Sequence, residues 1–337
     1  MSTIESPVDE YGFHRPDDFD YKTYSEFMSS YIRILAHRAT RWGSVLKGSS
    51  KVKKSRKIKR FVRKGVPSSH RAQVWMDISG ARKRMKKLPG YYQSLLESEL
   101  DDIVRNSILT DIDRTFPENI YFGSSSDSLK QKLKNILVAY AVHNPKIGYC
   151  QGLNYIAGLL LLIIKTEEPA FWLLEAMMMK RLPDYYAKDM MGLQVEQEVL
   201  SELVKIKLPT LHHHIESIGL SYSIFSTKWF ICLYIDVLPV ETVLRIWDSL
   251  FYEGSKILLR VAITLLALHQ DKLLAAKDFP QLCNVMKDIT TTPSTMDCHS
   301  FMTNCFELPG SLPRRLVSRL RREAHERLKP GEGQNGK

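Results

Sequence analysis

Apolar positions along the chain recur at steps of three and four, and alternation with a period of two is scarce, so the pattern predicts an all-α fold. Tyr24, Phe27, Tyr31 and Leu35 mark a first helix that starts near Thr23. Leu129, Leu133, Ile136, Leu137 and Tyr140 mark an amphipathic helix, which Asn144-Pro145 stops because proline disfavours a helical residue before it. A helix re-enters near Gln151, runs through the apolar residues 159–164 and ends before Pro169. Further helices are predicted near 169–181, 193–207, 221–236, 240–252, 256–270, 277–288 and 313–328. Ser68 or Ser69 is the natural N-cap of a helix carrying Arg71 and Trp75. Another helix follows Pro89-Gly90 as far as about Arg105, and residues 110–125 read as a loop rich in Asp, Pro and Gly.

The same pattern divides the chain into three parts. Residues 1–64 comprise an acidic segment over the first twenty residues, expected to lack regular structure, then a helix and a basic linker. A principal domain begins near Gly65-Val66-Pro67 and spans 65–310. Residues 311–337 form a C-terminal helix and a polar, Gly-rich tail expected to be disordered. The apolar run 159–164 is far short of the ~20 residues that cross a bilayer, and Arg260 interrupts the stretch 257–268. The N-terminus has no apolar signal-peptide core, so a soluble, cytoplasmic protein is expected.

Charge changes this picture in one place. The net charge is +11, and residues 47–64, which open on Lys47 and close on Lys64, hold ten Lys or Arg and no acid. Nearly all the basicity is therefore local. Such a stripe suits anionic lipid, an acidic protein or nucleic acid, and equally a solvated face. Only Phe61 interrupts it, which leaves no interleaved aromatics for base stacking, so nucleic acid is not expected. The five cysteines, Cys150, Cys232, Cys283, Cys298 and Cys305, are odd in number and contain no C-x-x-C, and read as idle thiols in a reducing compartment. Cys298, His299 and Cys305 are a weak metal signal. His212, His213 and His214 point in different directions on a helix and read as surface or loop residues.

Enzyme signatures are missing. Gly43 and Gly48 have P-loop spacing, but Ser49 stands where the phosphate-binding lysine belongs, and there is no G-x-G-x-x-G, H-E-x-x-H or G-x-S-x-G. Two polar segments stand out instead. One runs Ile108-Leu-Thr-Asp111-Ile-Asp113-Arg114-Thr115-Phe116-Pro117; the other runs Gly148-Tyr149-Cys150-Gln151-Gly152-Leu153-Asn154. Each sets a long hydrogen-bonding side chain beside residues that restrain the backbone, which lowers the entropy lost on docking.

These segments resemble the I-x-x-D-x-x-R and Y-x-Q-G motifs of the TBC domain of Rab GTPase-activating proteins. Arg71-x-x-x-Trp75 followed by Gly80, and Leu244-Arg-Ile-Trp247-Asp248 followed by Phe251 and Glu253-Gly254, resemble further parts of that domain in the same order. The segment Asp9-Glu-Tyr-Gly-Phe-His and the chain length resemble one branch of the family. The resemblance implies a TBC (RabGAP) domain of two helical subdomains with an N-terminal helical extension. It implies an activator rather than an enzyme in the strict sense, whose partner is a GTP-bound Rab GTPase. It also implies no cofactor of its own, GTP and Mg2+ being held by the GTPase. Arg114 would be the arginine finger and Gln151 a glutamine finger. Asp111 would orient Arg114 or serve as a helix cap or turn residue; both readings stand open here. Tyr149 would pack on the partner or shape its loop, Asn154 would fix that loop's backbone, and Arg71 and Trp75 would support the finger loops, with Trp75 in the core. The alternative is a Rab-binding helical scaffold without catalysis. The basic stretch 47–64 would touch anionic membrane, placing the protein at the periphery of endomembranes and in vesicle trafficking.

Overall fold

Side-chain oxygens decide where several helices begin. Asp20 accepts from the Thr23 amide to start α1 (Tyr21–Leu46), and Ser55 accepts from the Ile58 amide to start α2 (Arg56–Lys64). The computed structural model describes residues 6–48, 51–123, 128–182 and 184–329. After α2 come α3 (Ser68–Ser79), α4 (Ala81–Lys87) and α5 (Tyr91–Leu96). Asp101 then caps α6 (Asp102–Asp113) through the Ile103 and Val104 amides. The buried middle comes next: α7 (Lys130–His143), α8 (Leu153–Ile164), α9 (Glu167–Arg181) and α10 (Met191–Lys207). Beyond it are α11 (Pro209–Ile218), α12 (Tyr222–Ile231), α13 (Val240–Glu253) and α14 (Lys256–Leu268). The chain closes with α15 (Gln270–Ala275), α16 (Phe279–Asp288), α17 (Pro293–Met296), α18 (Cys298–Glu307) and α19 (Arg314–Leu328).

The all-α expectation holds. Among the described residues there is no strand, only two isolated bridges, Val8 with His14 and Phe13 with Asn119. Helices α8, α9, α13 and α14 are buried on nearly every side, α8 because it carries apolar residues all round, the others although they also bury Glu175, Arg245 with Asp248, and Arg260. Helix α8 packs on α7 and α9, and α13 on α2, α3, α14 and α18. Trp75, Trp172 and Trp247 are fully buried. Each large apolar side chain taken out of water there contributes roughly 1.5–3 kcal/mol against chain entropy. No helix among the described residues is long and apolar enough to cross a membrane.

Several boundaries differ from the pattern. The helix placed from Pro89-Gly90 to Arg105 is two, α5 and α6, because Asp101 caps a fresh start. Helix α6 runs on to Asp113, so residues 108–113 of the first polar segment are helical and only 114–117 lie in the loop after it. Pro67, not a serine, stands at the N-cap of α3, and no side chain caps it. Helix α12 stops at Ile231 instead of 236, where Leu233, Tyr234 and Asp236 take positive φ. Helix α18 leaves no clear mark in the pattern; Asp297 starts it by accepting from the His299 and Ser300 amides. The surface reading of the histidine run fails for His212, which is buried on α11 with its Nδ1 2.9 Å from the Tyr222 hydroxyl. Cys298, His299 and Cys305 diverge: Cys298 donates to the Tyr31 hydroxyl, His299 meets Arg38, and Cys305 is buried in the core. The first residues are not without structure: 6–15 fold back in turns and bridges. The tail 330–337 lies outside the described residues.

Candidate functional site

The end of α6 sets the first loop. Asp111 and Arg114 are three apart, so the helix stacks them on one side. A carboxylate in a last helical turn faces the negative end of the dipole, and the guanidinium at the C-cap offsets this. Arg114 Nε donates to Asp111 Oδ1 at 2.8 Å, and its Nη2 pairs with the same oxygen. The Asp111 side chain is nearly buried, whereas 51% of the Arg114 side chain faces solvent. The hydrogen bond to Asp111 holds the guanidinium's pKa above its ordinary value, which keeps it charged.

The residues just after Arg114 are clamped. Thr115 is buried and its hydroxyl donates to the Asp111 carbonyl at 2.6 Å, satisfying one of the last carbonyls of the helix. Phe116 takes φ 51°, a region costing a non-glycine residue about 1 kcal/mol or more. Its ring is held edge-on by Phe13, Phe122 and Tyr155, with centroids 5.1, 5.5 and 5.5 Å away. It fits only because α8 carries Gly158 opposite it: a Cβ there would stand 2.8 Å from the Phe116 ring.

The second loop enters α8. Gly152 has φ +105°, and a Cβ on it would meet the Ile231 carbonyl at 3.2 Å, so the turn demands glycine. Gln151 precedes it and is exposed. Asn154, fully buried, accepts from the Gly152 amide at 3.0 Å and donates to Thr115 Oγ1 at 2.8 Å. It thereby holds its own loop and ties it to the other. The Tyr149 hydroxyl donates to Asp111 Oδ2 at 2.6 Å. Burial and this bond push its pKa well up, so it stays a donor. One carboxylate thus takes Arg114 on one oxygen and Tyr149 on the other, and the two exposed side chains project from loops joined beneath them.

Arg71 and Trp75 are elsewhere. Arg71 is buried and grips Glu241 through both Nη atoms at 2.7 and 3.0 Å, and donates to the Tyr11 hydroxyl at 2.7 Å. Burial opposes the charge of Glu241, but the Arg71 guanidinium outweighs it and holds that carboxyl below the usual range. Trp75 Nε1 donates to Asp248 at 2.7 Å, in the core as expected. Among the described residues neither bonds to 108–117 or 148–154; they lock α3 to α13. Arg71 reaches the first loop only through Tyr11, whose carbonyl accepts from Asn119 at 3.0 Å.

That link exposes residues the pattern did not single out. The N-terminal segment lies along the first loop: the His14 amide donates to the Glu118 carbonyl and the Ile120 amide to the Gly12 carbonyl, both at 2.9 Å, and Phe13 packs on Phe116. Single bridges leave no periodic trace; the signals were the aromatic and glycine content of 11–13 and the likeness of residues 9–14 to one branch of the family. Beside Arg114 opens a cleft of about 640 Å³ lined by Phe13, Phe116, Pro117, Tyr155 and, across it, residues 235–240. Leu233, Tyr234 and Asp236, leading into that far wall, all sit at positive φ, so strain flanks the cleft on both sides.

An all-helical array of this kind is the fold of Rab GTPase-activating domains, and the chain belongs to the Rab-GTPase-TBC domain family, whose model matches residues 68–274. Within that family it is similar to growth hormone-regulated TBC proteins, the branch to which its N-terminal segment points. Growth hormone-regulated TBC protein 1-A of Danio rerio is 51% identical over 322 residues, covering 95% of this chain and 90% of the relative. The Homo sapiens growth hormone-regulated TBC protein 1 is 49% identical over 322 residues, covering 95% and 96%. The crystal structure of the Chlamydomonas flagellar RabGAP TBC domain superposes with a TM-score of 0.77 at 34% identity, over 89% of this chain and 99% of that one. The Ypt/Rab-GAP domain of Gyp1p shares the fold, with a TM-score of 0.67 at 21% identity over 81% and 97%.

Proposed function

We propose that this protein accelerates GTP hydrolysis on a GTP-bound Rab GTPase by inserting Arg114 and Gln151 into the partner's nucleotide site. The carrying observation is the Asp111 carboxylate, which joins the two loops and leaves both side chains at the surface. The guanidinium supplies positive charge to the γ-phosphoryl transition state and can bridge two oxygens. Such a residue in trans is worth ~10³–10⁵ in rate, or roughly 4–7 kcal/mol of barrier. The Gln151 amide has a donor and an acceptor, so it holds the attacking water and the partner backbone together. GTP and Mg2+ come with the GTPase. The apolar cleft beside Arg114 takes part of the partner's surface and excludes water from the phosphate. The basic stretch 47–64 leans on anionic membrane, where the protein acts peripherally in vesicle trafficking.

Single-turnover GTP hydrolysis across a panel of Rab GTPases tests this, with Arg114→Ala, Arg114→Lys and Gln151→Ala beside the native chain. We expect one or more Rabs to be stimulated, Arg114→Ala to lose about 10³-fold or more, and Arg114→Lys to recover little of it. Unchanged rates in every case would establish the non-catalytic scaffold instead.

A further inference from the structure

The segment that carries Phe13 lies outside the matched residues 68–274, yet the fold fastens it on two sides. Asp9 Oδ1 accepts from the Tyr11 and Phe13 amides at 2.8 and 2.9 Å, which fixes the turn between them. Gly12, inside that turn, has φ +90°, and a Cβ on it would stand 2.6 Å from the Tyr121 ring, so the segment lies this close to the first loop only with glycine there. On one side the Tyr11 hydroxyl donates to Glu241 Oε2 on α13 and accepts from Arg71 on α3. On the other side the Tyr11 carbonyl accepts from Asn119, which is buried and whose amide donates to the Phe116 carbonyl at 3.0 Å. The Arg71–Glu241 clamp thus reaches the first loop through residues 11–13.

Phe116 needs that support. Its positive φ is sparsely populated for a residue with a side chain, and such a conformation persists only where the surroundings over-determine it. Phe122 and Tyr155 supply two of the three rings around it from within the domain, and Phe13 supplies the third, standing at 89° to it. Arg114 is two residues earlier, at the end of α6, so the turn at Phe116 decides where the chain leaving Arg114 must go. Without the Phe13 ring, the Phe116 ring would face open cleft on that side, and the turn could relax toward negative φ and re-aim Arg114. Misplacing a reacting group by about 1 Å costs about 10²-fold in rate, so a loop that is misplaced part of the time loses several-fold.

We propose that Phe13 is a positioning residue for Arg114, acting through Phe116, so that a segment outside the family's domain sets the aim of the arginine. This rests on the reading of Arg114 as the side chain inserted into the partner's nucleotide site. The test is single-turnover GTP hydrolysis on a Rab that the native chain stimulates, at rising concentrations of the full chain, which separates the maximal rate from the concentration giving half of it. Phe13→Ala is expected to lower the maximal rate about fivefold and to move the half-maximal concentration by less than about twofold. Phe13→Tyr, which keeps the ring, is expected to restore most of the rate. Gly12→Ala, which lifts the segment and leaves Phe13 in place in the sequence, is expected to give the same pattern of loss. A second readout is binding to the same Rab loaded with GDP and aluminium fluoride, which imitates the phosphoryl group in transfer. Phe13→Ala is expected to weaken that complex about fivefold in the native background and by less than about twofold where Arg114 is already alanine, since an absent arginine cannot be aimed. The proposal is overturned by a native maximal rate in both Phe13→Ala and Gly12→Ala. It is overturned by a loss confined to the half-maximal concentration, which makes Phe13 a partner contact, or by equal losses with and without Arg114, which makes its role purely structural. Each of these leaves the GTPase reading standing so long as Arg114→Ala alone removes stimulation; a native rate in Arg114→Ala overturns both.

Discussion

Two carboxylates carry most of what individual residues decide. Asp111 was legible in the sequence only by its distance from Arg114; that its second oxygen takes Tyr149 from thirty-eight positions away could not be read from spacing. Asp111→Ala should free Arg114 and strip Tyr149 of its acceptor together. We expect stimulated hydrolysis to fall at least about tenfold, with Tyr149→Phe milder because Arg114 keeps its partner. The second carboxylate is Asp248, buried between the Val66 amide, the Trp75 indole and Arg71. Desolvation pushes its pKa up to about 6 despite those partners. The folded state therefore holds a proton there between pH ~4 and ~6 that the unfolded chain has released, and this group's contribution falls as pH rises through that window. Asp248→Asn lacks the term. Its stability relative to the native chain should improve by about 2 kcal/mol between pH 4 and pH 7, whatever the offset at either end. Denaturant titrations of both chains at those two pH values measure it.

At the scale of elements, the long periodic helices were plain in the sequence, and the short ones were not. Helices α7, α8 and α14 each carry a run of apolar residues and α13 apolar residues at three- and four-residue steps, whereas α5, α15 and α17 are held by neighbours more than by pattern. The N-terminal segment is the clearest gap between the two views. It reads as an acidic leader, yet it lies outside the matched 68–274 and braces the loop that presents Arg114. Removing residues 1–17 should lower the maximal stimulated rate several-fold while changing partner affinity less, as seen in rates measured against increasing activator concentration. On α8, Gly158→Ala would drive a methyl group into the Phe116 ring. Both its melting temperature and its stimulated rate should fall, with a stability loss of about 1–3 kcal/mol.

At the scale of the molecule, the chain's end is fastened to its middle. Helix α19 packs on α10, and Arg321 pairs with the buried Glu196 and donates to Ser255 Oγ at 2.9 Å. Arg321→Ala leaves that carboxylate without its counter-ion. A loss of about 2 kcal/mol is expected in urea titration, less than for a fully buried pair because 34% of the Arg321 side chain is exposed. GTPase stimulation at low temperature should be untouched, since α19 contributes nothing to the two loops. The motif order revealed the family from sequence, but not the joining of the loops, because that depends on contacts between residues far apart in the chain.

On the proposed mechanism, the shared carboxylate would also set how arrival of a nucleotide is felt. In the unbound protein both acceptor oxygens of Asp111 are already engaged. A phosphate that draws the guanidinium toward itself replaces one anionic acceptor by another, so the exchange releases little bare charge into solvent. The oxygen vacated on that side leaves the phenol as the remaining donor, and the glutamine's turn is gripped while the arginine lets go.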